Sequence, residues 1–425
     1  MKRLFLFFIL AALVIPAFGL DLTILSSGQT IFLEPKDGYK AVDDYIIAKF
    51  QKEHPGVNVK QILVDLSSGS TLTIDAMIAS GQAPDVYSDT GVRSGKYAID
   101  AYALDLKPYL TAKDIADFVP SLLAYGTKGS KILALPVATW IQAFAVNTDL
   151  MDSVGYKLPG TLWTTADFLT MAEKVKTTGK YATILFAKNQ SSDAWWMSWF
   201  GAFGAVQFAN GDYTRTRLNS PQGVAALNFM KLLVDKGYAP AAPGELDDDM
   251  ALEQWASGKI VGLMMQSGHA PPSIKSAVDQ KILDKPFAYK FVEMPHSPAV
   301  SHGLATAGPS LIVVHKSNDA TRNKLAFELA RAFSAGEYMV EGAKRPGVFP
   351  ALLSIPNTAD DFGGKQIQAI MKVSGVMDLG SAIPQFSEIR AQMFPLLQEF
   401  YAGRLTAEQV LATYEAKVNK ILAAK

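Results

Sequence analysis

From Leu133 to Leu150 the chain reads LALPVATWIQAFAVNTDL, apolar at nearly every position. A segment of that kind is more readily buried on both faces than half-exposed, so it predicts an interior strand. Thr139, Trp140 and Gln142 interrupt it with hydrogen-bonding groups. Each costs about 1–3 kcal/mol if buried without a partner. Two readings account for them: a strand that leaves one domain, passes the mouth of a cleft and enters a second, or an ordinary core strand with Trp140 packed inside.

The N-terminal third alternates strand and helix. Leu20–Leu25 predicts a short buried strand, and SSGQ (Ser26–Gln29) the turn after it. Residues 41–50 fit a helix stopped by His54-Pro55-Gly56; VNVKQILVD from Val57 alternates as a second strand. Leu72–Ala79 suits another helix. Gly81 and Pro84 then force a tight approach to a strand that starts near Asp85 and presents Tyr87, Ser88 and Asp89 at its far end. Such alternation implies an α/β fold with a parallel sheet, whose ligands sit beyond the carboxyl ends of the strands. Ser27, Gln29, Tyr87 and Asp89 fall at those ends. Further on, Leu325, Leu329 and Phe333 form one helical stripe with Gly336 as its stop. Thr406-x-x-Gln409 is a capping-box signal ahead of Val410, Tyr414, Val418 and Leu422. Both predict helices with one buried face.

Composition narrows the classes. Lys2 and Arg3 precede twelve apolar residues, Leu4–Ile15, then Pro16, with Ala17 and Gly19 placed for cleavage before Leu20. This reads as a secretory signal over residues 1–19, too short to span a membrane, leaving 406 of the 425 residues. No later run reaches the roughly 18 apolar residues of a spanning helix. There is no cysteine, so neither a disulfide framework nor a thiolate metal site can form. At 49% apolar, a chain of this length predicts two domains or one large duplicated one. Formal charge is zero, with no basic cluster, which argues against nucleic acid and acidic membrane surfaces as partners. Dinucleotide, phosphate-loop and nucleophile-elbow motifs are missing, and no cofactor is expected. Paired carboxylates for glycoside cleavage remain open, since Asp and Glu are plentiful. Glu293-x2-His296-x5-His302 matches no zinc spacing and reads as a loop.

A set of spaced segments carries a resemblance over nearly the whole mature chain. Phe50-x4-Pro55-x-Val57-x-Val59, IASGQAPDV from Ile78, ALDLKPYL from Ala103 and LALPVATWIQAFAVNTDLM occur in order. LNSPQGVAALNFMKLL from Leu218, ASGKIVGLMMQSG from Ala256, TAGPSLIVVHKSN from Thr306 and IPQFSEI from Ile383 follow. Together they resemble the bacterial extracellular solute-binding proteins of sugar-importing ABC transporters, the maltose-binding-like branch. The resemblance implies a two-lobe periplasmic-binding-protein type II fold, each lobe a sheet flanked by helices. One lobe would comprise residues 20–138 and 308–344, the other 143–302 and 345–425, with hinge crossings at 139–142 and 303–307 and a further crossing near 345–350. It implies a monomer that closes on a carbohydrate and hands it to membrane permease subunits. Lacking cysteine, the chain has no residue for a lipid anchor, which points to a periplasm.

The same resemblance nominates ligand contacts. Ser27, Gln29, Tyr87, Asp89 and Trp140 would form one wall; Asp193, Trp195, Trp196, Gln266, His269 and Arg390 the other. Flat aromatic faces suit the C–H faces of a sugar ring, and carboxylates accept its hydroxyls. Each has a plainer reading. Asp193 could cap a helix, Asp89 could serve the turn before Gly91, His269 could be a solvated loop residue, and Arg390 a surface residue. Trp199, near Phe200 and Phe203, reads as a core anchor. Arg390 stands where maltodextrin binders place a stacking aromatic, which leaves a short or acidic sugar open. A secreted glycan-cleaving enzyme, or a receptor for a phosphodiester or polyamine, would fit a similar cleft.

Overall fold

The structure, a computed structural model, describes residues 19–26, 32–36, 39–63, 77–90, 102–160, 163–190, 193–209, 212–343, 348–355, 365–366, 369–370, 377–380, 383 and 385–424. Its strands are β1 (Leu20–Ser26), β2 (Phe32–Lys36), β3 (Tyr39–Ala41), β4 (Val57–Leu63), β5 (Val86–Thr90), β6 (Thr127–Lys128), β7 (Lys131–Ile132), β8 (Ala134–Asn147), β9 (Tyr181–Thr183), β10 (Ile260–Gln266), β11 (Tyr289–Val292), β12 (Ala307–Val314) and β13 (Val348–Pro350). Its α-helices are α1 (Val42–Glu53), α2 (Ala112–Asp117), α3 (Pro120–Tyr125), α4 (Thr148–Ser153), α5 (Thr165–Lys176), α6 (Asp193–Ala202), α7 (Pro221–Asp235), α8 (Asp248–Ala256), α9 (Ala270–Asp279), α10 (Ala320–Ser334), α11 (Gly336–Ala343), α12 (Phe386–Arg390), α13 (Met393–Tyr401) and α14 (Ala407–Ala423).

The long apolar run becomes β8, and this strand organises the molecule. It pairs antiparallel with β12 over Ala134–Ile141, then with β10 over Gln142–Val146. It also pairs with β13 over Ala138–Trp140 and with β11 over Phe144–Asn147. Strand order is therefore β4-β1-β5-β12-β8-β10-β9, with β11 and β13 attached to β8. The apolar cores separate on either side of the changeover. Leu22, Ile24, Phe50, Val86, Leu106, Leu135 and Ile312 belong to one side, Phe144, Trp163, Phe168, Trp199, Leu263 and Tyr414 to the other. The molecule is a two-lobe α/β protein.

In the first lobe β1 pairs parallel with both β4 and β5, so the strand order reverses across β1. That reversal is where open sheets leave a crevice beyond their carboxyl ends. At the opposite end, Asp85 fastens the lobe. Its carboxylate accepts from the Thr23 backbone N–H at 2.8 Å and from Arg322 Nη2 of α10 at 2.7 Å. The third crossing differs from its expected place. Residues 348–355, assigned by sequence to the second lobe, pack on the first: Ala351 and Leu352 join its core, and Leu353 N–H donates to Asp117 O at 2.7 Å. Apolar Ala351 and Leu352 find a complete core there, which a strand edge alone would not give them.

Helix termini follow their local chemistry. Thr406 and Gln409 form the capping box of α14, and Val410, Tyr414 and Val418 are buried below it. Asp247 caps α8 through Met250 N–H at 3.0 Å.

Two expectations follow from this packing. A Cβ at Gly262 in β10 would lie 2.2 Å from Phe144 Cε1. Both strands are fixed by their ladder, so Gly262→Ala should cost roughly 1–3 kcal/mol by overpacking, read from the urea midpoint. The phenols of Tyr213 and Tyr238 are each pushed up to about 12, by burial first and then by Asp378 and Glu173. Unfolded chains release these protons from about pH 10. Their contribution is thus fully present below pH 10 and lost as pH rises towards 12. Urea midpoints should fall over that window, and less steeply in the Tyr213→Phe/Tyr238→Phe variant.

Candidate functional site

The two lobes meet where β8 changes partners, at Ile141 and Gln142. The first-lobe side is bounded by the carboxyl ends of β1 and β5. Asp89, next to the end of β5, pairs through its backbone with Leu311; its side chain lies outside the described residues. So do Ser27 and Gln29, which follow β1 in sequence, and the side chain of Trp140, whose backbone pairs with Gly308 and Val348. Tyr87 is corrected. It is 0% exposed and packs with Leu25, Leu133, Leu311 and Val313. Strand β5 is central and covered on both faces, so Val86 and Tyr87, which point to opposite sides, are both interior.

On the other side, Gln266 ends β10 opposite Gln142, and the 3-10 turn Ser267–His269 follows it. Gln266, the last residue of β10, and His269, in the turn after it, are half-buried.

Helix α6 does not present a stacking face. All ten of its residues, DAWWMSWFGA, are buried. Trp195 is 7% exposed and meets the Phe186 ring edge-on at 5.2 Å. Trp199 lies edge-on to Phe144 and Phe168, the core anchor expected of it. Trp196, 3% exposed, has its indole Nε1 buried without a hydrogen-bond partner. It lines a cavity of about 10 Å³ with Asp193, Gln207, Phe386, Arg390 and Tyr414. That is the size of one water and far below a sugar ring. In this conformation Trp195 and Trp196 are core residues rather than an open platform.

Asp193 and Arg390 satisfy each other. Arg390 Nη2 donates to Asp193 Oδ1 at 2.7 Å and to Gln190 O at 3.1 Å, while Nε donates to Asp193 Oδ2. The guanidinium also lies over the Phe386 ring at 5.6 Å. Asp193 Oδ1 accepts from the Ala194 backbone N–H at 2.7 Å, adding a favourable charge at the helix start. Both side chains are largely buried, 15% and 10% exposed, so the pair joins α12 to α6 rather than offering two free groups to solvent.

The crossing holds a second set of buried polar groups, of which the sequence did not single out Thr306. Thr306, immediately before β12, is 0% exposed and hydrogen-bonds Gln142 Oε1 at 2.9 Å. Its signal was a hydroxyl inside the TAGPS run. Nearby, Glu293 Oε1 accepts from Gly303 N–H at 2.6 Å and Oε2 lies 3.1 Å from His302 Nδ1. His296 turns instead to Ser297 O. Among the described residues no group of three or more His, Asp or Glu could hold a metal ion. None of the described helices is long and apolar enough to cross a membrane.

The comparisons with known proteins agree with this architecture. A family profile described as bacterial extracellular solute-binding protein matches residues 45–368. A Deinococcus radiodurans protein designated "Probable ABC transporter-binding protein" is 28% identical over 215 residues, 48% of this chain and 49% of its own. The match thus spans about half the length of that relative. Among solved structures, a solute-binding protein of an ABC transporter from Thermotoga lettingae, bound with α-D-tagatose, aligns with a TM-score of 0.79 at 19% identity, covering 95% of this chain and 100% of that one. The GacH receptor of Streptomyces glaucescens, solved unliganded and with acarbose, aligns at 0.78 and 18% identity, covering 96% and 99%. With one strand shared by two lobes and a family profile spanning most of its length, the chain belongs to the bacterial extracellular solute-binding proteins.

Proposed function

We propose that this protein captures a sugar or short oligosaccharide between its lobes and delivers it to the permease subunits of an ABC importer. The observation that carries this reading is β8, hydrogen-bonded in both lobes, with the carboxyl ends of β5 and β10 brought towards its crossing. The sugars bound by the two structural neighbours supply the ligand class. A solute held from both sides stabilises only the closed arrangement, which is how binding becomes a signal to the permease. Such a receptor acts as a monomer without a cofactor, and the ATP chemistry belongs to the transporter. Residues 1–19 would direct export to the periplasm, and a chain without cysteine stays there without a lipid anchor.

In this proposal Ser27, Gln29, Asp89 and Trp140 line the first lobe, and Gln266 and His269 face them. Asp193 and Arg390 take part as a preformed pair: an Arg fork already held by a carboxylate offers its remaining N–H to a hydroxyl without reorganising. Trp195 and Trp196 support the wall from behind.

A thermal-shift screen over mono- and oligosaccharides, with tagatose and acarbose among them, tests the ligand class. A tight ligand at a hundred times its Kd should add about 2.7 kcal/mol of stability. A rise in Tm with another solute class and with no carbohydrate would overturn the sugar assignment. Incubation with a glycan panel should release no reducing ends over time; their appearance would favour an enzyme.

The wall yields its own expectation. Arg390→Met strands the Asp193 carboxylate in a largely buried site and should cost roughly 3–5 kcal/mol. Asp193→Asn/Arg390→Met should recover much of that loss, as read by urea denaturation.

A further inference from the structure

At the crossing, β8 hands over from Ala307 of β12, opposite Ile141, to Gln266 of β10, opposite Gln142. Gln142 also donates its backbone N–H to Thr306 O at 3.0 Å, so these two residues sit at the joint itself. Helix α6 packs against it through Ala194 and Ser198. Gln142, Thr306 and Ser198 are 3%, 0% and 0% exposed.

Two hydroxyl protons are shared there among three acceptors. Thr306 Oγ1 lies 2.9 Å from Gln142 Oε1 and 3.1 Å from Ala194 O. Ser198 Oγ lies 3.0 Å from Ala194 O and 3.2 Å from Thr306 Oγ1. A hydroxyl has one proton to give. In one arrangement Thr306 donates to Gln142 and Ser198 to Ala194. In the other, Thr306 donates to Ala194 and Ser198 to Thr306. Both use every proton, and they interconvert by rotating two O–H bonds with no heavy atom moving. They differ in what Thr306 holds: the first ties it to Gln142 of the crossing strand and leaves the α6 hydroxyl paired within its own helix, whereas the second ties Thr306 to α6 and releases Gln142.

We propose that Thr306 is a positioning residue for lobe closure, its hydroxyl transferring one hydrogen bond between Gln142 on β8 and Ala194 on α6. When the crossing strands rotate and Gln142 withdraws, Thr306 and Ser198 re-pair with each other and with Ala194. The joint can then turn without leaving a buried donor unsatisfied, which would otherwise oppose the motion. The inference rests on the hinge-closure reading above, and it assigns the residue that couples the joint to α6.

The chain contains no cysteine, so spin labels at Lys113→Cys in the first lobe and Ala416→Cys in the second, both exposed, report lobe separation free of background. The distance distribution is measured by double electron–electron resonance without added solute. Thr306→Val removes the proton while keeping the shape, and the arrangement that holds the Gln142 bond should lose population roughly 2- to 10-fold, the factor for one neutral hydrogen bond. Thr306→Ser should retain the parent distribution. Gln142→Met should shift it in the same direction as Thr306→Val, and the double variant no further than either single one. Should Thr306→Val not fold, Gln142→Met against Thr306→Ser carries the same comparison. An unchanged distribution in both Thr306→Val and Gln142→Met, an equal shift with Thr306→Ser, or additive shifts in the double variant would each overturn the proposal. A purely structural role would lower Tm without moving the distribution. Since no solute is present, a carbohydrate screen that fails leaves this result standing, and the reverse also holds.

Discussion

The structure depends on one strand satisfying its backbone in two sheets at once. Every buried N–H and C=O needs a partner, and a chain passing between two bodies ordinarily loses them in the gap. β8 avoids that loss by changing neighbours at Ile141 and Gln142 without a break, from β12 and β13 in the first lobe to β10 and β11 in the second. The crossing is thus an ordered ladder rather than a linker.

Charge and aromatic groups are used chiefly to hold the second lobe together. Trp195, Trp196 and Trp199 spread around α6 and bury it on every side. Arg390, distant in sequence, closes its first turn by pairing with Asp193. The pair costs desolvation that its geometry must recover through several bonds: Asp193 takes two from Arg390 and one from Ala194 N–H, and Arg390 adds one to Gln190 O.

Much of the fold was legible locally. The apolar run from Leu133 carried β8, and Thr406 with Gln409 carried the start of α14, because these features are written within a few residues of each other. The site was legible less evenly. Trp195 and Trp196 looked available because family position outweighed composition. Yet DAWWMSWFGA has no polar face beyond its ends, and a helix apolar all round is an interior one. Tyr87 misled for the opposite reason, since a polar tip at a strand end says nothing of what covers the strand. The Asp193–Arg390 pair and the grouping of Ser198 with Gln142 and Thr306 join residues more than a hundred positions apart, and no spacing rule reports such meetings.

The position of β12 has a consequence for how the molecule is made. It lies between β5 and β8 in space but is supplied only from residue 307 onward. Until that stretch emerges, the two parts of the first sheet have no common neighbour and the lobe stays split. A polypeptide produced from its amino end therefore spends most of its synthesis unable to seal its first compact body. Long-range pairing of this sort also assembles slowly.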